Sequence, residues 1–124
     1  MKRLISILFV LSAALCLSIT ASAHQKQYGN GQVTANYSGN KVEIVDNVNN
    51  VCIVVTVEKK KTNYGEIVYD VVCGPNKFAH GLSKTALKKI IESNIESVSK
   101  DYGSLISPFA GYIAGELYDM VCGY

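Results

Sequence analysis

Apolar and polar residues alternate through the first half of the chain and fall into a helical period in the second. Val33, Ala35 and Tyr37 alternate with Gln32, Thr34 and Asn36, and after Ser38, Gly39 and Asn40 a second run sets Val42 and Ile44 against Lys41 and Glu43. Gly and Asn accept the positive φ of a tight turn, so these two runs predict a hairpin. A polar turn over 46–50 leads into a strand over 51–57, and a turn over 59–65 leads into another over 66–73, before Gly74, Pro75 and Asn76 close the sheet half. The expectation is a four-stranded antiparallel meander.

Ser83 offers a capping hydroxyl for a helix starting near Lys84. Leu87, Ile90, Ile91, Ile95 and Val98 share one arc of its wheel, while Lys88, Lys89, Glu92, Glu96 and Lys100 share the other, so one face is expected to be buried and one wet. Asn94 is the exception on the apolar arc and reads as a satisfied core amide. A second helix is predicted from a Ser107 cap with Pro108 in its first turn. Phe109, Ile113, Leu117, Met120 and Val121 form its stripe, Tyr112, Glu116 and Asp119 a narrow polar arc, and Gly111, Gly115 and Cys122 a line of small residues. The fold class is α+β: a four-stranded antiparallel meander followed by two C-terminal helices packed on one of its faces.

The N-terminus changes the picture of where this domain works. Met1, Lys2 and Arg3 precede an apolar run from Leu4 to Ile19 that ends in Ala21, Ser22 and Ala23, the pattern of a secretory signal with an A-x-A cleavage site. Leu15 stands before Cys16 where a lipid-attachment box wants a small residue, so Cys16 reads as filler of the signal. Residues 1–23 are thus expected to be a signal peptide and 24–124 a single secreted domain, extracellular or periplasmic. That domain carries ten lysines against ten acidic residues, a neutral balance that argues against nucleic-acid binding. Glu116 and Asp119 interrupt its best apolar stretch, which leaves membrane association disfavoured.

An oxidising compartment makes Cys52, Cys73 and Cys122 an odd set. Facing Ile53 with Val71, Val55 with Tyr69 and Val57 with Ile67 turns Cys73 into the core and Cys52 away from it. The expectation is a Cys73 to Cys122 disulfide fastening the last helix to the sheet, with Cys52 as a free or intermolecular thiol. The same parity puts Val54, Thr56, Val68 and Val72 on the outer side of the sheet, an apolar set where water is expected, and marks them as an interaction surface or a homodimer contact.

Candidate chemistry is sparse. Cleavage after Ala23 would expose His24, whose amine and imidazole, with His80 as a second imidazole, form a copper ligand set. The pair resembles the histidine brace of copper-dependent polysaccharide monooxygenases and of small periplasmic copper carriers, families that are all-β. Tyr28, Gly29, Asn30 and Gly31 resemble the N-terminal box of pediocin-like bacteriocins, without the two close cysteines that follow it there. Asn36, Tyr37 and Ser38 form a glycosylation sequon, and Lys59, Lys60 and Lys61 a basic turn. Cys73 and His80 are the one conceivable nucleophile and base, and a bridged Cys73 removes them. The leading functional expectation is a non-enzymatic secreted binding protein (an inhibitor, immunity factor or host-directed effector) with a protein or cell-surface partner. The alternatives are a membrane-active antimicrobial or toxin-like protein using the C-terminal helix, and extracellular copper binding through His24.

Overall fold

A computed structural model describes residues 23–74 and 77–123, so the 1–22 stretch of the expected signal lies outside the described residues. The sheet has six strands rather than four: β1 (His24–Tyr28), β2 (Val33–Ser38), β3 (Lys41–Asp46), β4 (Val51–Lys61), β5 (Ile67–Cys73) and β6 (Lys77–Leu82). Each pairs antiparallel with the next, giving the order β1-β2-β3-β4-β5-β6. The two additional strands are the edges. His24–Tyr28 is mostly solvated and carries no apolar alternation, and Lys77–Leu82 has Gly81 at positive φ opposite an irregularity between Tyr69 and Val71. An edge strand has fewer neighbours to exclude water, and its composition weakens the period-two signal accordingly.

The inner face is built from the alternation. Val33, Ala35 and Tyr37 of β2, Val42 and Ile44 of β3, Ile53, Val55 and Val57 of β4, and Tyr69, Val71 and Cys73 of β5 are all essentially inaccessible. The register between β4 and β5 differs from the expected one by four residues: Val55 faces Cys73 and Val57 faces Val71. The cause is the turn. Lys59, Lys60 and Lys61 stay in the strand, and the reversal is a tight one in which Thr62 N donates to Glu66 O (2.8 Å) while Thr62 Oγ1 accepts from Tyr64 N and Glu66 N. An even shift preserves which face every side chain occupies.

Helix α1 (Lys84–Asp101) begins at Ser83, whose Oγ accepts from Ala86 N (3.3 Å), and buries Leu87, Ile91, Ile95 and Val98 against β4, β5 and β6. Asn94 departs from expectation, because its Nδ2 is buried with no hydrogen-bond partner among the described residues. Pro108 sits in a 3-10 turn (Ser107–Phe109), not in the helix proper, and α2 (Ala110–Cys122) follows it, packed on α1. The Ser107 hydroxyl does not cap that turn. The glycines of α2 do not bring backbones together: a Cβ on Gly111 would lie 3.5 Å from Glu92 Oε2 and one on Gly115 3.5 Å from Lys88 Cε, so the small stripe seats long side chains of α1.

Candidate binding face

Both helices cover the same side of the sheet, which leaves the other to water. Cross-strand register places Lys41, Thr56, Val72 and Phe78 in one row of this outer face, with Glu43 and Val54 in the next row. Val54 and Thr56 are half-buried, whereas Val72 is 39% and Phe78 61% exposed. Val68 shares the face opposite Lys60 but is separated from Val72 by Asp70. The expected set therefore divides: Val54, Thr56 and Val72 cluster together, Val68 stands apart, and Phe78 joins through the unforeseen edge strand.

Asp70 terminates the apolar row with a polar cluster. Its carboxylate accepts from Lys60 Nζ (2.6 Å) and from Gly81 N (2.9 Å), and His80 Nδ1 lies 3.6 Å away. The Lys60 hydrogen bond, followed by that of Gly81, brings the Asp70 carboxyl down to about 2. His80 in turn stacks on Phe78 at a ring separation of 6.4 Å. Cys52 and Val54 border an open depression of about 440 Å³ that Tyr102 also lines.

No family model, curated protein or solved structure matches this protein. Its function has to follow from the geometry of its own side groups.

The cysteines correct one expectation. Cys52, Cys73 and Cys122 are all free, and no bridge joins Cys73 to Cys122. Cys122 instead meets the Tyr69 hydroxyl, four residues along β5 from Cys73. Tyr69 and Cys73 stand four residues apart on one face of β5, so Cys122 is directed at a different row of the sheet from Cys73. Parity does place Cys73 in the core and Cys52 on the outer face. Burial pushes the Cys73 thiol up to about 12; burial and the nearby Glu43 raise Cys52 as well. In the native protein Cys52 should alkylate first, with Cys73 at least ~100-fold slower and reactive only through unfolding. Timed alkylation with peptide mapping checks this, and all three thiols should label under denaturing, non-reducing conditions.

The histidine pair is also corrected. His24 lies on β1 and His80 on β6, five strand spacings apart, which is about 24 Å across a sheet. They cannot share a copper ion, and among the described residues no group of three His, Cys, Asp or Glu side chains is placed to hold a metal. Nor does His80 approach Cys73, since it accompanies Asp70 on the outer face while Cys73 faces inward. His24 is held in place: its ring stacks on Tyr37 at 4.8 Å, and its Nε2–H donates to Glu116 Oε2 (2.9 Å). Lys26 Nζ donates to Glu116 Oε1 (2.8 Å), and this bond, with that of His24, holds the Glu116 carboxyl below its usual value against the opposing effect of burial. Glu116, expected on a solvated arc, is thus the clasp between α2 and the first strand. The hydroxyls of Tyr28 and Tyr37 share a 2.8 Å hydrogen bond beside it, and Tyr28 stacks on Phe109.

Asp46 is the residue that pattern reading missed. It is inaccessible to solvent and accepts five hydrogen bonds: Oδ1 from Val48 N (2.9 Å) and Asn49 N (3.0 Å), Oδ2 from Asn49 Nδ2 (3.0 Å), Ser104 Oγ (3.1 Å) and Leu105 N (2.8 Å). Oδ1 shapes the β3–β4 turn, and Oδ2 joins that turn to the connection between the helices. The apolar stripe of α2 is likewise committed to the interior, with Ile113 and Leu117 fully buried, and among the described residues no helix is long and apolar enough to cross a membrane.

Proposed function

We propose that this protein is a small secreted binding protein, acting without catalysis as an inhibitor, immunity factor or host-directed effector, and that the outer face around Val54, Thr56, Val72 and Phe78 receives a protein or cell-surface partner. The observation that carries the reading is the juxtaposition of Val72 and Phe78, both substantially exposed and in register with Thr56, on the face that neither helix covers. Contiguous apolar side chains on an otherwise polar surface carry a solvation cost that a partner removes. Secretion rests on the leader pattern of residues 1–23. The polar cluster of Asp70, Lys60 and His80 forms a rim beside the apolar row, the arrangement of apolar centre and charged border common in binding patches.

The test is a pair of variants, Val54→Lys with Val68→Lys, and Val72→Lys with Phe78→Lys. Both should fold, because every substituted side chain points away from the core. The second should lose the protein's bound partner, or its self-association if the partner is a second copy, while the first should weaken it less. Light scattering and recovery of bound protein from the extracellular medium read this out. A monodisperse wild-type monomer that recovers nothing the variants do not recover would sink the proposal.

A further inference from the structure

The turn between β1 and β2 contains the protein's single Asn-Gly pair, Asn30 and Gly31. Asn30 is exposed at φ 57°, Gly31 follows at φ 87°, and among the described residues no hydrogen bond holds the Asn30 amide. Gly31 has no Cβ to block approach to its own nitrogen. We infer that Asn30 is a site of spontaneous deamidation, a chemical modification that requires only water. The Gly31 backbone nitrogen, giving up its proton, attacks Cγ of Asn30. A new bond from that nitrogen to Cγ closes a five-membered imide, the bond from Cγ to Nδ2 breaks, and Nδ2 takes up the proton and leaves as ammonia. Water then opens the imide at either carbonyl, leaving aspartate or isoaspartate.

The two products differ in consequence because of what the turn supports. Its backbone is seated against the 3-10 turn: a Cβ on Gly29 would lie 2.8 Å from Phe109 Cζ. Gly31 O accepts from Asn47 Nδ2 (2.9 Å), and Gln32 N donates to Gly29 O (3.2 Å). Aspartate leaves the backbone unaltered, and its side group tolerates the left-handed region as asparagine does. Isoaspartate adds a methylene to the backbone between these anchors, which displaces either the seat on Phe109 or the pairing of Tyr28 with Val33. Ageing therefore loosens the first strand in one product and only adds a negative charge in the other.

The experiment ages the folded protein in mildly alkaline buffer at about 40 °C for roughly two weeks, then maps the 27–41 tryptic peptide by mass. The expected result is a gain of one mass unit localised to Asn30, in two chromatographic forms, at least ~10-fold faster than at Asn36 or Asn40 on the same peptide. Asn30→Gln should remove the gain. Asn30→Asp should melt with the fresh protein, whereas the isolated isoaspartyl form should melt at least about 4 °C lower. Conversion at Asn36 or Asn40 in preference to Asn30, or an unchanged Asn30 in the folded protein while the excised peptide converts, would overturn the inference.

Discussion

Asp46→Ala is expected to lower the unfolding free energy by about 3 kcal/mol, because it removes one buried carboxylate that accepts five hydrogen bonds and ties the β3–β4 turn to the connection between the helices. Val48 N, Asn49 N and Leu105 N are backbone donors whose positions the carboxylate itself defines. Asp46→Asn retains one acceptor but turns an NH2 toward some of these donors, so about 2 kcal/mol should still be lost. Acid offers the same test without mutation. Burial pushes this carboxyl up, but the hydrogen bonds from Leu105, Asn49 and Val48 outweigh it and bring it down to about 2 from an ordinary 3.8. A carboxyl depressed in the folded state binds fewer protons there than in the unfolded state. Its contribution is full above about pH 5, declines as pH falls through 4 and through the folded value of about 2, and is gone only near pH 1. Asp70 and Glu116 are depressed too and add to the same decline. Urea midpoints measured between about pH 7 and 2 should fall in the wild type and fall less steeply in Asp46→Asn.

Leu117→Ala should cost about 3 kcal/mol, within the range for removing a buried leucine from a core that cannot fully close around the gap. Leu117 is fully buried and belongs to the cluster that joins both helices to the sheet. Tyr112 on the same helix is 71% exposed, and Tyr112→Ala should cost under about 1 kcal/mol, its stacking on Tyr28 included. Chemical denaturation of the two variants side by side checks the contrast. Equal losses would mean that α2 is not docked as described, and would return it to the pool of segments able to act at a membrane.

The inward rows of β2 to β5 and the buried arc of α1 were legible because period two and period 3.6 survive wherever one side of an element meets the core and the other meets water. The first and last strands were not. Gln25, Lys26 and Gln27 look like a polar lead-in, and only pairing with β2 makes them a strand. Phe78 escaped notice for the same reason, although it is the most exposed apolar residue of the candidate face. Asp46 was half legible: an Asp two residues before Val48 and three before Asn49 is a turn signal, but its bonds to Ser104 and Leu105 span 58 and 59 positions. Glu116 read as solvated because nothing local says that the first strand will lie against it.

Parity of the strands, the wet and dry faces of α1, the neutral charge of residues 24–124 and the leader pattern follow from the order of residues alone, since each depends on neighbours a few positions apart. The number of strands, the fate of the three thiols, the separation of His24 from His80 and the burial of Asp46 were decided by tertiary structure. These turn on distances between segments tens of residues apart, and such distances are set by how far a strand runs before it turns and where a helix ends along it. Four residues of strand are enough to leave Cys73 and Cys122 as separate thiols.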